Sequence, residues 1–217
     1  MSSENFHKSF ITRKEELRQS VRSARVALTD RTERSQRILD QLERSEPWQK
    51  CRAPLVYLSS GSEVMTWPLV EKVLKEPEHA AGCIRKLIVP WCDGEELRLF
   101  WLQSLDELSA GSFGIREPRA EMRSQSTRCV NPAEIDLVVL PGLAFDEQGR
   151  RLGQGRGYFD RLLKEIKPEV MKPEVMKVGL AFEVQMVEEV PVEKHDLPVD
   201  LVITESRIIW RDVPPGS

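Results

Sequence analysis

The chain has 217 residues, 40% of them hydrophobic and 31% charged, yet the charges nearly cancel to a formal net charge of -3. That length suits one well-cored domain and is short for two. A surface built to coat a polyanion carries a basic excess, so the balance excludes nucleic acid as the expected partner and leaves small anionic ligands open. No apolar run reaches membrane-spanning length, and the N-terminal stretch MSSENFHKSF lacks the apolar core of a secretion signal, so a cytoplasmic protein away from membranes is expected. The four cysteines, Cys51, Cys83, Cys92 and Cys129, form no CxxC pair. They are expected as small buried hydrophobes in a reducing compartment rather than as disulfides or zinc ligands.

From Thr12 the spacing predicts a helix, because Leu17, Val21, Ala24 and Leu28 form one apolar stripe with basic residues around it. Asp30 and Glu33 predict a capping box that restarts a helix to about Leu42, ended by Pro47. Pro54 to Leu58 reads as a short strand, Ser59-Ser60-Gly61-Ser62 as a small-residue loop, and Thr66 to Leu74 as helical. Lys86 to Pro90 and Leu97 to Leu102, joined through Asp93-Gly94, predict a hairpin. Ser104 to Arg128 is mixed, with Gly114 to Pro118 irregular. Ile135 to Leu140 is the clearest buried strand, stopped by Pro141-Gly142, and Tyr158 to Ile166 is helical. Val178 to Phe182 and Leu201 to Thr204 complete the strands. This alternation predicts an α/β fold, a single domain over residues 1–217 with a mainly parallel central sheet flanked by helices. Residues 1–11 and 212–217 are expected as flexible ends. The pentapeptide Lys167-Pro-Glu-Val-Met171, repeated at once as Lys172 to Met176, reads as an inserted surface loop.

The chemistry concentrates between Leu137 and Arg161, LVVLPGLAFDEQGRRLGQGRGYFDR. Gly153, Gly155 and Gly157 remove Cβ atoms from the loop between strand and helix. Backbone amides can then approach an anion, aided by the positive end of the helix that follows. Arg151 and Arg156 flank the glycines and offer forked hydrogen bonds to phosphate oxygens. An ordinary turn has the same composition, and the glycines alone do not separate the two. Neither a Walker A lysine nor GxGxxG spacing is present. Asp160, in the first helical turn, has an ordinary role toward the helix dipole. Beside bound phosphates it becomes the first candidate for Mg²⁺, which takes one or two carboxylates together with phosphate oxygens.

PGLAFDEQGRRLGQGRGYFDR resembles the signature of the 5-formyltetrahydrofolate cyclo-ligase family, also called methenyltetrahydrofolate synthetases. Other blocks agree in the same order. Lys14-Glu-Glu-Leu-Arg18 resembles the family's N-terminal Lys-xxx-Arg helix, Ser62 to Thr66 its acidic substrate loop, and Phe113 to Pro118 its mid-chain segment. His195-Asp196 followed by Val199 to Glu205 is similar to its C-terminal strand. The resemblance implies a fold similar to that shared by sugar-phosphate isomerases and CoA transferases, and a monomer. It implies ATP bound by Lys14, Arg18, Arg151, Leu152, Gly153, Gln154, Gly155, Arg156, Gly157, Tyr158 and Phe159, with Arg151 and Lys14 catalytic. It implies a reduced folate held by Leu58, Glu63 and Gln154 to Tyr158, and Mg²⁺ on Asp160 and Asp196.

The implied reaction joins 5-formyltetrahydrofolate and ATP to give 5,10-methenyltetrahydrofolate, ADP and phosphate, by attack of the formyl oxygen on the γ-phosphate and then of N10 on the activated carbon. Such chemistry asks for alignment and charge neutralisation more than for acids and bases. The chain agrees, with three histidines (His7, His79, His195) and neither GxSxG nor HExxH. Lys14 and Arg18, at i and i+4, share a helix face. Without the resemblance they would join Arg13, Arg22 and Arg25 as a solvated basic face. Phe159 stands where the family usually has a second Tyr. A dinucleotide oxidoreductase, the first rival, wants an acidic residue about 20 residues past the glycines, where Glu174 falls in the Pro-punctuated repeat. A non-catalytic binding module, the second, would have lost charged positions, whereas Lys14, Arg18, Glu63, Arg151, Asp160 and Asp196 are all present.

Overall fold

The computed structural model describes residues 3–76, 84–111, 114–166, 175–193 and 196–212. His79, Cys83, Phe113, His195 and positions 167–174 of the tandem repeat lie outside them. The chain opens with α1 (Ser3–Ala27), α2 (Arg31–Arg44) and the short α3 (Glu46–Lys50), then enters the sheet at β1 (Pro54–Val56). After α4 (Trp67–Lys75) come the hairpin β2 (Ile88–Asp93) and β3 (Glu96–Trp101), the ribbon β4 (Leu108–Ala110) and β5 (Arg116–Pro118), and α5 (Ala120–Arg123). Then follow β6 (Leu137–Leu140), a second ribbon of β7 (Ala144–Phe145) and β8 (Arg151–Leu152), α6 (Tyr158–Glu165), β9 (Met176–Leu180), β10 (Leu201–Ile203) and β11 (Ile208–Trp210).

Seven strands form one sheet in the order β11-β10-β9-β6-β1-β2-β3. The inner strands β10, β9, β6, β1 and β2 are parallel, and each edge strand pairs antiparallel. Helices cover both faces, which is why β6 reads LVVL without a polar break, each residue 0% exposed. Val56, Leu137 and Val139 point into a layer closed by Ile38, Leu42, Leu69 and Val70 of α2 and α4. Leu55, Val138 and Leu140 point to the opposite layer, closed by Leu162 and Leu163 of α6. From β1 the chain moves to β2 on one side, then returns past β1 to β6 on the other. The loops leaving the carboxyl ends of β1 and β6 therefore diverge, and an open α/β sheet forms its ligand crevice at such a point.

The α/β architecture matches the sequence expectation; several local features differ. Asp30 does precede α2, but its carboxylate makes no cap bond and instead accepts from Arg34 Nε at 2.8 Å. A charged, forked partner outcompetes the backbone amide. Pro47 does not end α2: the chain turns at Ser45, whose hydroxyl caps α3, and Pro47 lies in that helix's first turn. The irregular stretch around Gly114–Pro118 contains β5, paired antiparallel with β4. The ribbon β7–β8 and edge strand β11 were not predicted. Among the described cysteines only Cys51 is buried, with its thiol pushed up to about 12 by burial; Cys92 is half-buried and Cys129 exposed. No described helix is long and apolar enough to cross a membrane.

The turn between β7 and β8 depends on Gly149. Its φ is +73°, and a Cβ there would stand 2.2 Å from the Val199 carbonyl oxygen. Its own carbonyl accepts from Val199 N at 2.8 Å, tying the segment after Asp196 to the ribbon. Gly149→Ala should therefore lower stability by about 2 kcal/mol or more, read as a fall in the urea midpoint. An unchanged midpoint would mean that the turn relaxes freely.

Candidate active site

Two cavities open at the crevice. The larger, about 580 Å³, is walled by Tyr57, Leu58 and Ser60–Glu63 beyond β1, by Pro141 and Gly142 beyond β6, and by Trp91, Leu97, Ile115 and Phe159. Its size and apolar sides suit a flat ring system. The smaller, about 300 Å³, is polar and lies between Lys14 and Arg18 of α1, the glycines Gly153, Gly155 and Gly157, and Glu193 and Asp196. Arg151, Gly153, Gly157 and Asp160 line both.

The glycine loop owes its path to its φ angles. Gly155 (+95°) and Gly157 (+65°) occupy conformations that side chains disfavour, and a Cβ on Gly157 would stand 3.1 Å from Arg161 Nη1. Gly157 is the N-cap of α6 and no side chain caps it. The helix's first internal bond runs from Arg161 N to Gly157 O at 3.0 Å. The amides of Tyr158, Phe159 and Asp160 thus have no acceptor within the helix, and its positive end opens where the cavities meet. Tyr158 Oη donates to Gly94 O at 3.0 Å, and Arg161 donates to Glu95 O and, at 3.0 Å, to Arg156 O. The β2–β3 turn thereby braces the loop from outside. Gln154 and Arg156 are exposed on the rim of the larger cavity, and Gln154 Oε1 accepts from Arg22 Nη2 at 2.9 Å.

The smaller cavity holds several of its charges in pairs. Arg151, 8% exposed, donates from Nη2 to Asp160 Oδ1 at 2.5 Å and from Nη1 to Pro141 O at 3.2 Å, while its buried Nε has no protein partner among the described residues. Lys14 Nζ lies 3.3 Å from both Glu193 Oε2 and Asp196 Oδ2. Arg18 Nε donates to Gly153 O at 3.2 Å. The two cations expected to be catalytic, Arg151 and Lys14, are thus each already bonded to one predicted metal carboxylate. Asp160 and Asp196 line the same cavity, but no group of three or more His, Cys, Asp or Glu suited to a metal occurs among the described residues. Two carboxylates fit Mg²⁺ when phosphate oxygens and water complete its shell. Leu152 turns its side chain into a small core with Val21, Ala144 and Val190, leaving only its backbone to the cavity.

Comparisons with known proteins establish the family. The profile of the 5-formyltetrahydrofolate cyclo-ligase family matches residues 11–205. The chain belongs to the 5-formyltetrahydrofolate cyclo-ligase family. The Escherichia coli K12 5-formyltetrahydrofolate cyclo-ligase is 30% identical over 191 residues, covering 87% of this chain and 98% of its own. The mitochondrial 5-formyltetrahydrofolate cyclo-ligase of Arabidopsis thaliana is 29% identical over 215 residues, 93% of this chain and 77% of its own. The solution structure of Aquifex aeolicus 5,10-methenyltetrahydrofolate synthetase superposes with a TM-score of 0.76 at 35% identity, over 94% of this chain and 96% of that one.

Set in a cyclo-ligase family member, the predicted residues collect around the two cavities, with Leu58 and Glu63 on the larger one. Glu63 sits in a tight turn in which its amide donates to Ser60 O at 3.2 Å and its Oε2 accepts from Ser60 N at 3.0 Å. Burial raises the Glu63 pKa, opposed by the Ser60 amide and by the charge of Arg25. Arg25, expected on a solvated face, is 4% exposed and lines the larger cavity. The signal for it was present: Lys14, Arg18, Arg22 and Arg25 fall on one face of α1. Glu117, also missed, is 2% exposed on the same cavity and accepts from Cys92 N at 3.3 Å and Arg123 Nη2 at 3.2 Å. Its only signal was the family-like block Phe113 to Pro118, because β4 and β5 are too short to show a period.

The raised Glu63 pKa has a defined sign. The folded chain keeps this proton to higher pH than the unfolded chain does, so stability is fullest below the unfolded carboxyl value and is lost as pH rises through the folded one. Glu63→Gln should melt above wild type at about pH 8, and that advantage should vanish near about pH 4, where the unfolded carboxyl also carries its proton. Parallel melting curves across this range would contradict the assignment.

Proposed function

We propose that this chain closes a ring on a reduced folate at the expense of ATP, converting 5-formyltetrahydrofolate to 5,10-methenyltetrahydrofolate with release of ADP and phosphate. Beyond family membership, one observation carries the reading: an apolar cavity of ring-system size and a cationic, amide-lined cavity share a wall made of Arg151, Gly153, Gly157 and Asp160. A phosphoryl group passing between two ligands needs that adjacency.

The pterin occupies the larger cavity against Leu58 and Phe159, with the Glu63 carboxylate accepting from its N–H groups. The triphosphate lies on the amides at the start of α6, with Lys14 and Arg18 beside it. The formyl oxygen attacks the γ-phosphorus, the bond to the β-phosphate oxygen breaks, and ADP leaves. N10 then attacks the activated formyl carbon and gives up its proton, and phosphate departs with the former formyl oxygen. Arg151, buried in the shared wall, supplies a fixed positive charge where the phosphoryl group carries its negative charge. Asp160 and Asp196 would hold the Mg²⁺ that neutralises charge on the triphosphate.

Purified protein mixed with 5-formyltetrahydrofolate and Mg-ATP should develop the near-ultraviolet absorbance of the methenyl product, and a flat trace at saturating ligands would end the proposal. Arg151→Ala should cost on the order of 10²-fold in turnover; turnover equal to wild type would remove Arg151 from the phosphates. Asp160→Asn should raise the Mg²⁺ concentration that gives half-maximal rate, and an unchanged metal dependence would place the ion elsewhere.

A further inference from the structure

We infer that Arg25 is a positioning residue for the folate subsite, fixing the Ser60–Glu63 turn against the end of β6 so that Glu63 meets the pterin in one orientation. The inference rests on the placement of the folate in the larger cavity. Arg25 stands in the last turn of α1, and its guanidinium spans the crevice where β1 and β6 part. Nε donates to Ser62 Oγ at 3.0 Å, and Nη1 donates to Gly142 O at 3.3 Å. Ser62 adjoins Glu63 on the β1 side, and Gly142 follows β6. A single planar fork therefore holds helix, loop and strand end together.

The loop's other attachments lie on its far side. Tyr57 Oη donates to Val64 O at 2.9 Å, Thr66 Oγ1 donates to Tyr57 O at 2.6 Å, and Ser59 N donates to Thr66 Oγ1 at 3.1 Å. These bonds anchor the segment after Glu63 and the segment before Ser60. At Ser62, beside Glu63 itself, the side-chain tether is Arg25.

Burying an arginine is costly, and burial lowers this one's pKa. Among the described residues it makes no ion pair, so direct charge pairing does not account for its place. Packing does not either, since an apolar side chain would fill the same space without desolvating a charge. The charge of Glu63 is the largest influence opposing burial at Arg25, and the charge of Arg25 acts back on Glu63, after the Ser60 amide. It favours the ionised carboxylate, the form that only accepts hydrogen bonds and so complements pterin N–H donors.

Steady-state rates of methenyl formation, varying 5-formyltetrahydrofolate and ATP separately, test the inference on Arg25→Gln, Arg25→Lys and Ser62→Ala, with melting curves recorded alongside. Arg25→Gln should raise the folate KM about tenfold, and Ser62→Ala about threefold, the scale of losing one or two positioning bonds. The ATP KM should stay within about twofold and kcat within about threefold. Arg25→Lys keeps the charge without the fork and should fall between wild type and Arg25→Gln. A folate KM unchanged in Arg25→Gln and Ser62→Ala, or an ATP KM that rises in step with it, overturns the inference. A lowered melting temperature with unchanged KM overturns it too and makes Arg25 a mere strut. Should Arg25→Gln fail to fold, Ser62→Ala decides alone, because removing one hydroxyl leaves the core intact. Wild-type protein that forms no product defeats both readings; wild-type turnover with unaltered variant KM values defeats only this one.

Discussion

The parting of the chain at β1 is the constraint from which the site follows. Parallel strands bring their carboxyl ends to one edge, and consecutive connections ordinarily close over that edge together. Here the connection after β1 leads to β2 and the one after β6 leads the other way, so neither covers the other. The Ser59–Glu63 loop and the Pro141–Gly142 turn become opposite banks of a cleft, and α1 lies across it. The β7–β8 ribbon then folds back toward that cleft, which is how Arg151, ten residues beyond Pro141, comes to donate to its carbonyl.

Several of the charges in the smaller cavity are paired before any ligand arrives, although cations outnumber carboxylates in its lining. Arg151 with Asp160, and Lys14 with Glu193 and Asp196, bury their ions as partners, which limits the desolvation that lone charges would suffer. The Arg151 Nε is buried with no protein acceptor among the described residues.

How much of this was legible varied with how local the cause is. β1 and β6 were readable because both faces are buried, leaving unbroken apolar runs, and α1 because one stripe repeats along it. The glycine loop showed itself through composition, since Gly155 and Gly157 adopt positive φ angles. Two-residue strands such as β7 and β8 carry no period at all. Asp30 could cap a helix or bind Arg34, and only the competition in three dimensions decided it. Arg25 was the deepest miss: its shared face with Lys14 and Arg18 was legible, but which cation on that face the loops enclose is decided in three dimensions, since Arg22 on the same face is exposed.

Lys14, Arg18, Arg22 and Arg25 run along one side of α1, the first two at the smaller cavity and the last two at the larger. From Lys14 to Arg25 the helix rises about 16 Å. In the proposed placement, a single rigid rod gauges in advance the separation between the tail of a nucleotide and the head of a folate. Adding one residue between Arg18 and Arg22 would swing the later pair by about 100° and pull it off its cavity. Adding four would nearly restore the rotation but shift the pair by about 6 Å. This interval of the chain can change its side chains far more readily than its length.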